Sequence, residues 1–129
     1  MTRVDRDQEP HFPRPAEIEA YGRGGFRFAG MSHRGSLLCL PSGIWAWSVA
    51  DPRQIDEAAL SRVFAESANI GFFVLGTGLT RVPLAEALLV RLRALKVNVE
   101  AMTTGQAANT YNILLGEGRQ VAAGLIAVD

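Results

Sequence analysis

The chain has 129 residues, which fits one ordinary domain and excludes two. An apolar fraction of 48% supplies a core that holds without disulfide or metal, and 20% charged residues supply a water-facing surface. The 13 basic residues balance 13 acidic ones, which removes the positive surplus a nucleic-acid binder uses against phosphates.

No run approaches the ~20 apolar residues that span a bilayer, so no direct membrane span is expected. Cys39 is the one cysteine, so nothing predicts a disulfide framework or secretion. The opening MTRVDRDQEPHF lacks the apolar centre of a signal peptide, which makes the cytoplasm the expected compartment. Attachment to the inner membrane through partners is compatible with it.

Residues 1–16 are charged and hold Pro10, Pro13 and Pro15, each restricting its own backbone and that of the residue before it. They predict a flexible or extended arm anchored at Phe12, ahead of a single α/β domain over 17–129. Ile18, Ala20, Phe26 and Phe28 alternate with polar neighbours at the period of half-buried strands. SLLCL, the turn Pro41-Ser42-Gly43 and IWAWSV predict a hairpin with Trp45, Trp47 and Val49 on one face.

Asp56 is placed to cap a first helix over 57–67, with Ile55 and Leu60 as its hydrophobic staple. NIGFFVLG follows as a continuous apolar run, the pattern of a strand covered on both faces. Pro83 predicts the first turn of a second helix, buried through Leu84, Leu88, Leu92 and Leu95. VNVEAM reads as a further strand. Thr103 and Gln106 form a capping-box pattern that opens a third helix, with Gly116 placed to end it in a left-handed cap. RQVAAGLIAV closes the chain as a strand, with Gly124 a close-packing point. Strands alternating with helices predict a three-layer α/β/α fold, its central sheet mixed but mostly parallel, with N-terminal β hairpins adding strands.

Ligands of open α/β sheets bind beyond the carboxyl ends of the strands. Two such ends carry Gly76-Thr77-Gly78 and Thr103-Thr104-Gly105, the second at a helix start with free N–H groups. With Asn109 and Asn112 they make a candidate pocket for a small anion or metabolite. The alternative is a tight turn and an ordinary helix cap, because GTG lacks the spacing of a dinucleotide loop and no GK[ST] follows. Glu100, on a strand expected to be central, is expected to be largely buried. It is then either an ion-pair partner of Arg119, the preferred reading, or an acid/base or ligand-binding carboxylate.

Other reactive residue types have ordinary explanations. Tyr111 lies on an apolar helical stripe, as a core tyrosine does. His11 and His33 are far apart in sequence and lack metal-ligand spacing. Ser32, Ser36 and Ser42 lack a nucleophile-elbow setting. Cys39 sits inside an apolar strand, where a thiol is a small hydrophobe. No cofactor is predicted.

The C-terminal half is more distinctive. After the strand ending in Gly76-Thr77-Gly78 come Val99, Glu100, Met102 and Thr104, then Ala107, Thr110, Tyr111 and Asn112, then Glu117-Gly118-Arg119. This series resembles a family of small domains of long-unknown function. Its animal members include a mitochondrial assembly factor of respiratory complex I and an adipogenesis-associated protein. The resemblance covers about residues 17–128. It implies a three-layer α/β/α fold with extra β strands, no established enzymatic activity, and protein partners among respiratory membrane-complex subunits. The expected function is therefore a non-catalytic binding or assembly protein. The alternative is an anion- or metabolite-binding protein or enzyme using the pocket between the GTG loop and the helix near Thr103.

Overall fold

The computed structural model describes residues 9–129. The expected arm therefore falls partly outside the described residues, and its residues 9–16 run beside the domain. Phe12 forms an antiparallel bridge with Ile44: Ile44 N–H donates to the Phe12 carbonyl at 2.9 Å, and His11 N–H donates back to the Ile44 carbonyl at 2.8 Å.

Strands β1 (Ile18–Gly22), β2 (Gly25–Phe28) and β3 (Met31–Arg34) form an antiparallel sheet of their own. Both of its hairpins turn through residue pairs with positive φ, Arg23-Gly24 and Ala29-Gly30. That is the mirror-image turn whose twist suits a two-residue hairpin. Strands β4 (Ser36–Leu40) and β5 (Gly43–Trp47) make the hairpin expected from SLLCL and IWAW, and β4 joins it to the central sheet.

A 3-10 turn at Pro52–Gln54, boxed by Asp51, leads to α1 (Ser61–Ala65). This helix is shorter than the 57–67 expected. Asp56 does accept from the Ala59 N–H at 2.9 Å, but residues 57–60 close as turns, and a second 3-10 turn follows at Ser67–Asn69. Ile55 and Leu60 are both buried in one cluster, as a staple requires.

Next come β6 (Phe72–Gly76), α2 (Glu86–Ala94), β7 (Asn98–Met102), α3 (Thr104–Gly116) and β8 (Val121–Leu125). Pro83 does not open α2. Residues 81–85 stay non-helical because the Val82 N–H is held by the Thr77 hydroxyl at 2.9 Å, and α2 begins only after Ala85. The left-handed glycine after α3 is Gly118, φ +76°, not Gly116, which remains in the helix.

The central sheet runs β5-β4-β8-β6-β7. Strand β6 is parallel to β7 and β8, while β4 is antiparallel to β5 and β8. The sheet is thus evenly mixed rather than mostly parallel, because the early hairpin adds both antiparallel pairings. Side chains alternate across it. Phe73, Leu75, Leu38 and Trp47 join Leu88 and Leu92 of α2 in one cluster. Val74, Ala123, Leu37 and Cys39 join Ala107 and Tyr111 of α3 and Phe26 and Phe28 of the small sheet in the other. Full burial of a side chain such as Leu92 or Phe73 contributes roughly 1.5–3 kcal/mol. Gly124 sits where a Cβ would come within 3.0 Å of the Trp47 ring and 3.1 Å of Phe73, so its lack of a side chain lets two aromatics close over the strand.

Candidate functional site

Thr103 caps α3 as its spacing predicts. Its hydroxyl accepts from Gln106 N–H at 3.3 Å, and the Gln106 side chain accepts from Thr103 N–H at 3.2 Å. The first turn of α3 then sits on the end of β6. A Cβ on Gly76 would lie 2.8 Å from the Thr104 Cα and 3.0 Å from the Ala107 Cβ, so only glycine permits this approach.

Around that contact the polar groups bond to one another. The fully buried Thr104 hydroxyl donates to the Ile126 carbonyl at 2.7 Å and accepts from Gly78 N–H at 2.9 Å. Thr104 N–H donates to the Gly78 carbonyl at 2.9 Å. The Thr77 hydroxyl donates to the Thr80 carbonyl at 2.7 Å and accepts from Val82 N–H. Gly78 takes φ +101° to make the bend. The groups offered by the sequence to an anion are thus engaged by the chain itself, and the Tyr21 hydroxyl stands where a Gly105 side chain would be. No buried side-chain polar atom among the described residues lacks a partner.

Farther along α3, Asn109 is exposed. Asn112 grips β1 at both atoms of its amide: it accepts from Ile18 N–H and donates to the Ile18 carbonyl, each at 2.8 Å. The TYN string therefore fastens the small sheet to the helix. Tyr111 is buried in the cluster that holds Cys39, and burial raises its pKa. Burial also pushes the Cys39 thiol up to about 12, so it stays protonated and unreactive at neutral pH.

Glu100 and Arg119 lie elsewhere. Strand β7 is an edge strand, not a central one, so Glu100 is exposed rather than buried. Arg119 is exposed too, and its ion-pair contact is with Glu117 at 3.6 Å rather than Glu100. Both nevertheless line one cavity of about 690 Å³ at the amino ends of the parallel strands, with Arg93, Asn98 and Gln120. The site residues thus divide between two ends of the sheet.

Other functional-type residues that sequence reading separated are brought together. His11 and His33 stand with ring centroids 4.9 Å apart. Burial, and then the neighbouring His11, lower the pKa of His33. The only cue in the sequence was the aromatic Phe12 beside His11, which seats the arm. The free edge of β7 is partly closed by Arg81, whose Nε donates to the Ala101 carbonyl at 2.9 Å.

These features define a small α/β domain with a closed glycine-threonine junction at one end of its sheet and an open, charged cavity at the other. A family model for a protein of unknown function (DUF498/DUF598) matches residues 18–126, and the chain belongs to this family. An uncharacterised protein of Rhodobacter capsulatus is 40% identical over 92% of this chain and 90% of its own length. The mouse NADH dehydrogenase [ubiquinone] 1 alpha subcomplex assembly factor 3 is 30% identical over 92% of this chain, which spans 64% of that protein. A crystal structure of a Bartonella henselae protein, called an outer membrane protein, matches with a TM-score of 0.89 at 47% identity, over 92% of this chain and 100% of that one. Among the described residues no helix is long and apolar enough to cross a membrane.

Proposed function

We propose that this chain is a non-catalytic binding protein that assists assembly of a respiratory membrane complex of the NADH dehydrogenase type. One observation carries the non-catalytic part of this reading. The hydroxyls of Thr77 and Thr104 and the first-turn N–H groups of Thr104 and Gln106 are already bonded within the chain. A reacting group needs free donors aimed at a substrate, and these are spent on joining β6, α3 and the segment after β8. The 30% identity to the mouse assembly factor supports the choice of partner. On this reading the work is done by protein surfaces, with subunits of the membrane complex as partners, and the chain reaches the membrane through them.

The test is deletion of the gene in its source organism, followed by native-gel separation of membrane complexes and an in-gel NADH oxidation stain. The fully assembled complex should fall several-fold, with partial assemblies accumulating, and the wild-type gene should restore it. Unchanged amounts of assembled complex would overturn the proposal. The rival anion pocket at the GTG loop requires a ligand to displace the bonds to Thr104. It predicts saturable shifts of the Gly78 and Thr104 amide resonances on adding phosphate.

A further inference from the structure

The outer face of the small sheet carries charge that the fold does not use. Directly opposed residues of antiparallel strands share a face. The rows Ala20–Arg27–Ser32 and Gly22–Gly25–Arg34 therefore lie on one side. The alternate row, Tyr21–Phe26–His33, lies on the other, and Phe26 is buried there with α3. Arg27 and Arg34 are diagonal neighbours on the outer side, over a floor of glycine. Arg23 joins them from the hairpin turn, at φ +54°, a left-handed position that usually takes Asn, Asp or Gly.

None of these arginines makes an ion pair among the described residues, where the pairs fall to Arg53, Arg91 and Arg119. Arg27 donates to the Ser32 hydroxyl at 2.8 Å, which steadies its guanidinium. The recess they line has a volume of about 570 Å³, and no carboxylate lines it. Two acids have contacts on this sheet's turns. Glu19 is bonded to Gly30 N–H, and an Asp129 oxygen lies 4.0 Å from where a Gly24 Cβ would be.

We propose that this face binds a phosphate monoester dianion, held between Arg27 and Arg34 with Arg23 closing the rim. Guanidinium groups present paired N–H donors that match phosphate oxygens. The volume is that of a small-molecule site. Tyr21, Phe26 and His33 of the alternate row also line the recess. The same dianion occurs free on a small phosphorylated molecule and on the headgroup of phosphatidic acid.

The experiment uses the full ¹⁵N-labelled chain at fixed ionic strength, titrated with inorganic phosphate, and co-sedimentation with phosphatidic acid or phosphatidylcholine vesicles. The proposal expects saturable shifts at the Gly22, Gly25, Ser32 and Arg34 amides. It expects affinity to drop at least about tenfold in Arg27→Gln/Arg34→Gln, the scale of losing a charged hydrogen bond. Arg34→Gln alone serves if the double variant fails to fold. Sedimentation with phosphatidic acid vesicles, reversed by phosphate, assigns the headgroup as source; saturation by phosphate without vesicle binding assigns a free small molecule. Absence of saturable shifts with phosphate together with no selective sedimentation overturns the proposal. So does an equal loss of affinity in Arg53→Gln, which would mean diffuse charge attraction. Amide shifts at Gly78 and Thr104 instead would point to the GTG end. None of these readouts depends on assembly activity, so this site and the assembly role fail separately.

Discussion

The two ends of the central sheet use polar residues in opposite ways. At the carboxyl ends of β6 and β7, threonine hydroxyls and glycine amides are buried and bonded to each other, and α3 presses against Gly76. At the amino ends, Glu100, Arg93 and Arg119 are exposed around an open cavity, and the ion-pair contact there is the long one between Arg119 and Glu117. A polar group in the first setting has a structural task, and removing it leaves a buried partner unsatisfied. In the second setting solvent replaces whatever is removed. Distinctive sequence strings at both ends therefore carry different meanings: GTG and Thr104 are bonded into the fold, whereas Glu100 and Arg119 stand in solvent.

The sharpest way to break this contrast is at Gly76. Gly76→Ala should destabilise the protein by about 3 kcal/mol, near the upper range for overpacking, because the methyl meets backbone and helix rather than a yielding side-chain tip. Thr104→Val should cost about 2 kcal/mol. It keeps the shape but strands the Gly78 N–H and the Ile126 carbonyl. Urea unfolding reads both; a shifted midpoint with unchanged slope is the expected form. Wild-type midpoints for both variants would mean that the junction is not holding β6 to α3.

Thr103→Ala should follow at roughly 1 kcal/mol, the loss of a helix cap. A titration extends the contrast to the seam between the arm and the small sheet. His33 has a lowered pKa in the folded state, so the folded form disfavours its proton. Stability should be full above the unfolded value of about 6.5. It should fall as pH drops through that value toward the lower folded one, because the unfolded chain takes up the proton first. His33→Gln should flatten that part of the stability–pH curve. A curve unchanged by the substitution would remove His33 as its source.

Much of the fold was legible because local rules and tertiary packing agreed. The continuous apolar FFVLG, the alternation through IWAW and the Thr103–Gln106 box each describe the surroundings their residues occupy. Reading failed where position depends on distant partners. Nothing in VNVEAM reveals that β7 pairs with β6 alone, so Glu100 looked central when it is at an edge. Pro83 is a sound helix opener by local chemistry, yet a hydroxyl six positions earlier holds the backbone just before it out of the helix. The meeting of His11 with His33 requires the arm to bridge to Ile44, a contact that no period encodes. The Thr77–Thr104 junction was half legible. Residue type and position mark these threonines, but whether their hydroxyls face a ligand or the chain's own backbone is decided by the fold of the loop after β6 and the docking of α3.

The smallest expected effect is the one that tests the open end. Glu100 and Arg119 share a cavity but make no ion pair with each other, and both are exposed. An exposed pair couples by at most about 1 kcal/mol even in contact, whereas a buried one broken at one partner costs roughly 3–5 kcal/mol. Glu100→Gln, Arg119→Met and the double variant should therefore each shift stability by less than about 0.5 kcal/mol and add almost independently. Coupling above about 1 kcal/mol would mean that the two charges meet in solution and that the amino end is built like the carboxyl end. The decisive comparison sets this cycle beside the assembly assay in the source organism. If Glu100→Gln keeps wild-type stability yet lowers the amount of assembled complex, the carboxylate acts on a partner and the amino-end cavity is the working surface. If stability and assembly are both unchanged, the partner surface lies elsewhere on the domain, and Glu100 remains a charge that keeps an edge strand from pairing with other chains.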